Sequence, residues 1–160
     1  MKTAVIYYSY EGNSTLIAEI IKTAAKVDVF EIKTTDTKIR NGFAKIAWGV
    51  LQVMLKKKPA LQDLSVDIAS YDLIIFGTPV WAGSPAPAVV SFLDKTKISG
   101  KKLALFCCHG GGMGNVFDKL KALLPGNTFM EEIDFKYPAK EKDTGGLKQK
   151  IEEWLKRLNN

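Results

Sequence analysis

Hydrophobic and polar positions alternate along this chain in blocks that switch period about ten times. Residues 3–8 form a short apolar run, and 13–25 follow with apolar residues at Leu16, Ile17, Ile20, Ile21 and Ala24. The first block has the length of a buried strand, and the second has helical spacing. The same alternation predicts strands at 27–32, 71–76, 103–108 and 128–135. Helices are predicted at 43–55, 86–94, 115–123 and 145–158. The last carries Leu147, Ile151, Trp154, Leu155 and Leu158 on one stripe, with Glu152–Lys156 and Glu153–Arg157 pairs on the other side. The strand at 128–135 alternates least clearly. Helix 43–55 (FAKIAWGVLQVML) is apolar nearly all round, so it reads as core. Its rival readings are a cover over a binding site, a dimer surface with Trp48 and Met54, and a membrane-surface helix beside Lys56-Lys57-Lys58.

Five strand–helix units with continuous apolar strands predict an α/β fold. It is a three-layer, doubly wound, five-stranded parallel sheet covered by helices on both faces. No linker, repeat or low-complexity tract divides residues 1–160, which read as a single domain. In such sheets ligands sit outside the carboxyl ends of the strands, where the strand order reverses. The loops after the first, third and fourth strands are therefore where binding chemistry is expected.

The first loop is Ser9-Tyr10-Glu11-Gly12-Asn13-Ser14-Thr15. A small polar loop between a buried strand and a helix start makes an anion site, because the first helical amides lack intrahelical partners. Ser9, Asn13, Ser14 and Thr15 add side-chain donors, and Gly12 permits a positive φ. The loop lacks the Gly-Lys-Ser/Thr ending of a Walker A sequence and is not a dinucleotide fingerprint. The second loop runs Gly77-Thr78-Pro79-Val80-Trp81-Ala82-Gly83-Ser84-Pro85. Ser84 is expected to cap the following helix with Pro85 at its first position. Trp81 is either a platform for a flat ligand or core beneath the loop. The third loop, Cys108-His109-Gly110-Gly111-Gly112-Met113-Gly114-Asn115, offers bare backbone to a ligand edge. A phosphate cradle, an aromatic platform and a backbone strip together suit a ligand with a phosphate at one end and a flat heteroaromatic at the other.

These loops resemble those of the flavodoxin family. YSYEGNST is similar to its FMN-phosphate loop, (Ser/Thr)-x-Thr-Gly-x-Thr, with Ser9, Gly12 and Asn13 fitting and Ser14 in place of the final Thr. DLIIFGTPVWAG resembles the segment covering one face of the flavin ring. LALFCCHGGGMGN resembles the third flavin loop of a subgroup of flavodoxin-like reductases. The resemblance spans essentially the whole chain. It implies strand order 2-1-3-4-5 and bound FMN. It implies a cofactor site of Ser9, Tyr10, Glu11, Gly12, Asn13, Ser14, Thr15, Thr78, Pro79, Val80, Trp81, Ala82, Gly83, Cys108, His109, Gly110, Gly111, Gly112 and Met113. No metal is expected. Three departures stand out. Glu11 replaces the usual Thr and must point outward or bind cations. The third loop has no Tyr or Trp, leaving the aromatic cover of the flavin one-sided. The chain is basic where typical flavodoxins are acidic.

Composition bears on the partners. The formal charge is +6, from 23 Lys+Arg against 17 Asp+Glu, and the lysines are scattered. A nucleic-acid footprint would cluster, so a solvated basic face is expected and no nucleic acid. No apolar run spans a bilayer, and Met1-Lys2 enters a strand directly, so a cytoplasmic protein without a signal peptide is expected. The adjacent Cys107 and Cys108 form neither a disulfide framework nor a zinc spacing, and read as inert packing.

The function expected is an FMN-binding redox protein. It transfers electrons to a partner protein or reduces a small, quinone-like acceptor, as a monomer or homodimer. His109 is the candidate catalytic residue, stabilising negative charge at the N1/O2 edge of the ring. With one aromatic missing and a basic surface, two-electron chemistry is the expectation. The alternative is a flavodoxin-fold binding module that has lost its flavin. Phosphoryl transfer is disfavoured because no Asp cluster closes the first strand and no Cys-x5-Arg loop exists. A serine hydrolase lacks its G-x-S-x-G.

Overall fold

The computed structural model describes residues 1–36, 38, 40, 42–141 and 144–158. Five parallel strands carry the architecture: β1 (Thr3–Tyr8), β2 (Asp28–Ile32), β3 (Leu73–Trp81), β5 (Lys102–His109) and β6 (Thr128–Lys136). A two-residue β4 (Ser84–Pro85) folds back antiparallel on the end of β3, pairing Val80 with Pro85 and Trp81 with Ser84. The spatial order is β2-β1-β3-β5-β6. Counting the parallel strands alone, that is the expected 2-1-3-4-5.

Both faces of the sheet are covered, as continuous apolar strands require. Helices α1 (Asn13–Ala25) and α5 (Gly145–Leu158) bury Ile17, Ile21, Leu147, Ile151 and Trp154 against Val5, Ile75 and Phe106. Helices α3 (Pro87–Lys95) and α4 (Val116–Leu123) bury Val89, Phe92, Val116 and Leu120 against Ile6, Ile74, Phe76 and Leu105. Successive strand residues alternate between these two cores. Cys107 belongs to one and Cys108 to the other, both as free thiols.

Two expectations fail here. The third strand does not stop at Phe76 but continues to Trp81. Beyond Gly77 it has left β1 behind, so Pro79 sits where a proline is tolerated as on an edge. Ser84 consequently does not cap a helix. It lies in β4, and α3 starts at Pro87 after Ala86, whose amide donates to Thr78 Oγ1 at 3.1 Å.

The larger surprise is α2 (Gly42–Met54), the helix read as core. Gly49 is its one buried residue, while Phe43 is 84% exposed and Met54 73%. The helix belongs to neither covering layer. Its inner side rests on aromatic rings at the carboxyl edge of the sheet, and on its outer side Phe43, Leu51 and Met54 are exposed.

Candidate functional site

The carboxyl ends of β1, β3 and β5 open into a cavity of about 250 Å³. The first loop contributes Ser9, Tyr10, Glu11, Asn13 and Ser14. The second contributes Pro79, Val80, Trp81 and Ala82, and the third Cys108, His109 and Gly110. The three loops singled out in the sequence therefore meet in space. Gly12, Thr15, Thr78, Gly83, Gly111, Gly112 and Met113 do not line this cavity. Thr78 is fully buried, its hydroxyl donating to Pro79 O and accepting from Ala86 N, so it braces the β3–β4 turn.

The start of α1 is arranged as an anion cradle. Gly12 precedes the helix with φ +86°, the left-handed conformation that glycine adopts without strain. Ser9 Oγ accepts from the amides of Gly12 (3.1 Å) and Thr15 (3.3 Å). Both its lone pairs are engaged, so its O–H remains to donate. The amides of Asn13 and Ser14 have no partner further back in the helix. Ser14 Oγ is buried without a hydrogen bond of its own. Asn13 plays a different part from the one expected. Its Oδ1 accepts from Ala139 N at 3.0 Å, tying α1 to the turn after β6.

Glu11 meets Lys45 of α2 at 2.6 Å. The carboxylate that departed from the family pattern is thus paired at the rim, with an exposed side chain. Lys45, Ile46, Gly49 and Val50 of α2 also line the cavity; the sequence offered this helix as a cover over a binding site among its rival readings, without singling out these residues. Their placement depends on how α2 docks. Gly49 lies under Trp81, where an added Cβ would stand 3.7 Å from the indole. Trp48 stacks on Tyr10 with centroids 5.7 Å apart and meets Trp81 edge-on at 5.3 Å. Arg40 lies over Trp48 at 4.2 Å, and its backbone N–H donates to Tyr10 Oη. Trp81 is thus half-buried in an aromatic cluster while still lining the cavity.

A second aromatic arrives from outside the three loops. Tyr137, just past β6, lines the same cavity with φ +46°. A Cβ on Gly110 would lie 2.2 Å from its hydroxyl, so Gly110 is needed for the ring to approach. The cavity thus has a further aromatic in its lining besides those of the first two loops. The available signal was position: a tyrosine closing a parallel strand at the carboxyl edge. Gly114 likewise serves protein packing, since a Cβ there would come within 2.7 Å of Gly83 Cα. Part of the glycine-rich loop thus joins loop to loop and leaves less backbone for a ligand than expected.

His109 Nε2 and Asp134 Oδ2 are 2.9 Å apart. The hydrogen bond from His109 holds the Asp134 carboxyl below its ordinary value. A carboxylate only accepts, so Nε2 carries the proton and Nδ1 is left as the second ring position. Nδ1 is buried and unpartnered. Burial pushes the Cys108 thiol up to about 12, and Cys107 higher still, so both stay protonated and inert near neutrality.

A larger cavity of about 390 Å³ shares Ser9, Tyr10 and Trp81 but continues over the end of β2 towards Thr34, Asp36, Ala60 and Gln62. Size favours it, while chemistry favours the smaller one. The start of α1 and the residues Ser14 and His109, each with an orphaned polar atom, line the smaller cavity.

Comparison with known families decides what kind of edge this is. The family model described as Flavodoxin matches residues 2–157. The chain belongs to the flavodoxin family. Among solved structures, this flavodoxin-family chain is similar to a flavoprotein in complex with FMN from Lactobacillus acidophilus NCFM. The identity is 23%, with 96% of this chain and 98% of that one covered and a TM-score of 0.72. A flavodoxin, WrbA-like protein from Agrobacterium tumefaciens is 20% identical over 98% of this chain and 94% of its own, with a TM-score of 0.63. Two-electron reduced Megasphaera elsdenii flavodoxin is 23% identical over 94% and 98%, with a TM-score of 0.57. At these identities the likeness speaks for the fold. Among the described residues no helix is long and apolar enough to cross a membrane, and no group of His, Cys, Asp and Glu is placed to hold a metal.

Proposed function

We propose that the chain binds FMN in the 250 Å³ cavity and passes electrons to a partner protein or a small, quinone-like acceptor. The observation that carries the reading is that Ser14 and His109, each with an unpartnered buried polar atom, line one cavity with Trp81 and Tyr137 at the start of α1. Buried polar atoms are costly unless a ligand or water satisfies them. Bound FMN would supply reversible electron transfer. The chain's own residues do the rest. The Ser9 hydroxyl, the first amides of α1 and Ser14 hold the phosphate. Trp81 and Tyr137 flank a flat ring and exclude water from it. His109, fixed by Asp134, keeps one ring nitrogen for a hydrogen bond to the ligand or for a proton.

The departures from the family pattern weigh less than the sequence suggests. Lys45 pairs Glu11 and lessens its repulsion of a phosphate. Tyr137 supplies the second aromatic. These two features favour a flavin-bearing protein over a module that has lost its cofactor. Tyr137 also removes one of the three arguments for two-electron chemistry, leaving His109 and the basic charge. Titrating protein into free FMN is expected to quench its fluorescence to a one-to-one end point. Ser14→Asp, which sets a charge against the phosphate, is expected to abolish the quenching while circular dichroism stays native. Unchanged FMN affinity in that variant would remove α1 from the site.

A further inference from the structure

We infer that α2 is a docking element for an anionic lipid bilayer, lying on its surface without crossing it. Phe43, Ile46, Val50, Leu51, Met54 and Leu55 are all exposed. Phe43, Val50, Leu51 and Met54 fall within about 100° of one side of the helix, along about 17 Å, with Ile46 and Leu55 at its two borders and with Ile46 and Val50 shared with the cavity lining. An exposed apolar stripe of that length marks a contact surface.

Charge says what covers it. Between Gly42 and Lys58 the chain has four lysines and no acidic residue. Lys45 is taken by Glu11 and Lys58 by Asp94, while Lys56 and Lys57 have no acidic partner among the described residues. The stripe ends in these lysines. Beside them a groove of about 360 Å³ runs between α2, α3 and α4, floored by Val53, Pro87, Val90 and Leu123 and rimmed by Lys56, Lys57 and Lys119. A convex apolar helix next to a lysine-rimmed apolar groove fits an interface where acyl chains meet negative headgroups. A second copy of this chain fits poorly. A two-fold contact would set Lys56 and Lys57 of both copies in one interface, where the neighbouring carboxylates of Glu11 and Asp94 are already paired with Lys45 and Lys58. The inference goes beyond FMN binding and does not depend on it, although α2 also lines the proposed FMN cavity. Docking would set that cavity beside the lipid.

The test is cosedimentation of the whole protein with vesicles of phosphatidylcholine alone and of phosphatidylcholine with phosphatidylglycerol. Binding is expected to the anionic vesicles and to weaken with salt. Removing Lys56 or Lys57 should cost about fivefold each. The double variant Leu51→Glu with Met54→Glu should lose about tenfold or more. Both positions are exposed and outside the cavity lining, so FMN quenching by these variants should match the parent. A failed inference is thereby separated from a failed FMN site. No binding to anionic vesicles at low salt would overturn the proposal. So would equal binding to neutral vesicles, binding unchanged in the double variant, or a concentration-dependent dimer that Leu51→Glu disperses without any vesicle binding.

Discussion

Helices α2 and α5 have opposite relations between composition and burial. α2 is the more apolar in sequence, yet Phe43, Ile46, Leu51 and Met54 are exposed and Trp48 is only half-buried. α5 has charges at half its positions or more in its last two turns, yet Leu147, Ile151, Trp154 and Leu158 are buried. The difference is one of layers. α5 lies on the sheet with α1, so one stripe suffices and the rest is solvated. α2 crosses the carboxyl edge, where the aromatic rings of Tyr10 and Trp81 form its floor. Excess apolarity beyond what the fold buries is therefore a statement about function. It belongs to the cavity on one side of α2 and to an outside partner on the other.

Substitutions can break that contrast, beginning with the largest effect. Trp154→Ala empties a fully buried site in α5 and is expected to cost about 3–5 kcal/mol in denaturant unfolding. Trp48→Ala removes the inner contact of α2. It should cost about 1–3 kcal/mol, since the ring is only half-buried, and it should loosen FMN by disturbing Tyr10 and Trp81. Asp134→Asn ranks lower because the carboxyl is about half exposed to solvent. Its carboxyl value is lowered in the folded protein, so the pair adds stability above the ordinary carboxylate value of 3.8. That stability is lost as pH falls through the lowered value. The Tm difference between parent and Asp134→Asn should therefore shrink below about pH 4. Leu51→Ser on the outer side of α2 should stay within about 0.5 kcal/mol of the parent. A cost of several kcal/mol there would mean that the outer side is packed in solution, and the contrast would fall.

The same contrast explains what the sequence made legible. Strands β1 and β5 and helices α1 and α5 were readable because each buries a run or stripe of its own residues against the sheet. The first loop was readable because a helix start carries its chemistry locally. Gly77 and Pro79 hid the extension of β3, since both residues usually break strands; Gly77 leaves room for the Phe106 ring, and the loss of β1 as a neighbour admits Pro79. Tyr137, Lys45 and Gly49 reach the cavity through the docking of distant elements, and local periodicity does not encode that. The burial of α2 failed for the same reason: an all-round apolar pattern records what a helix can bury, while the layer it joins decides what it does bury.

The central claim is that the start of α1 holds the phosphate of FMN. It is tested most directly by comparing FMN with riboflavin, which has the same ring and no phosphate, in parallel fluorescence titrations. FMN should bind more tightly by about two orders of magnitude or more, from the charge-assisted bonds of the cradle. The gap should close in Ser14→Asp. Equal affinities for FMN and riboflavin in the parent protein would contradict the account.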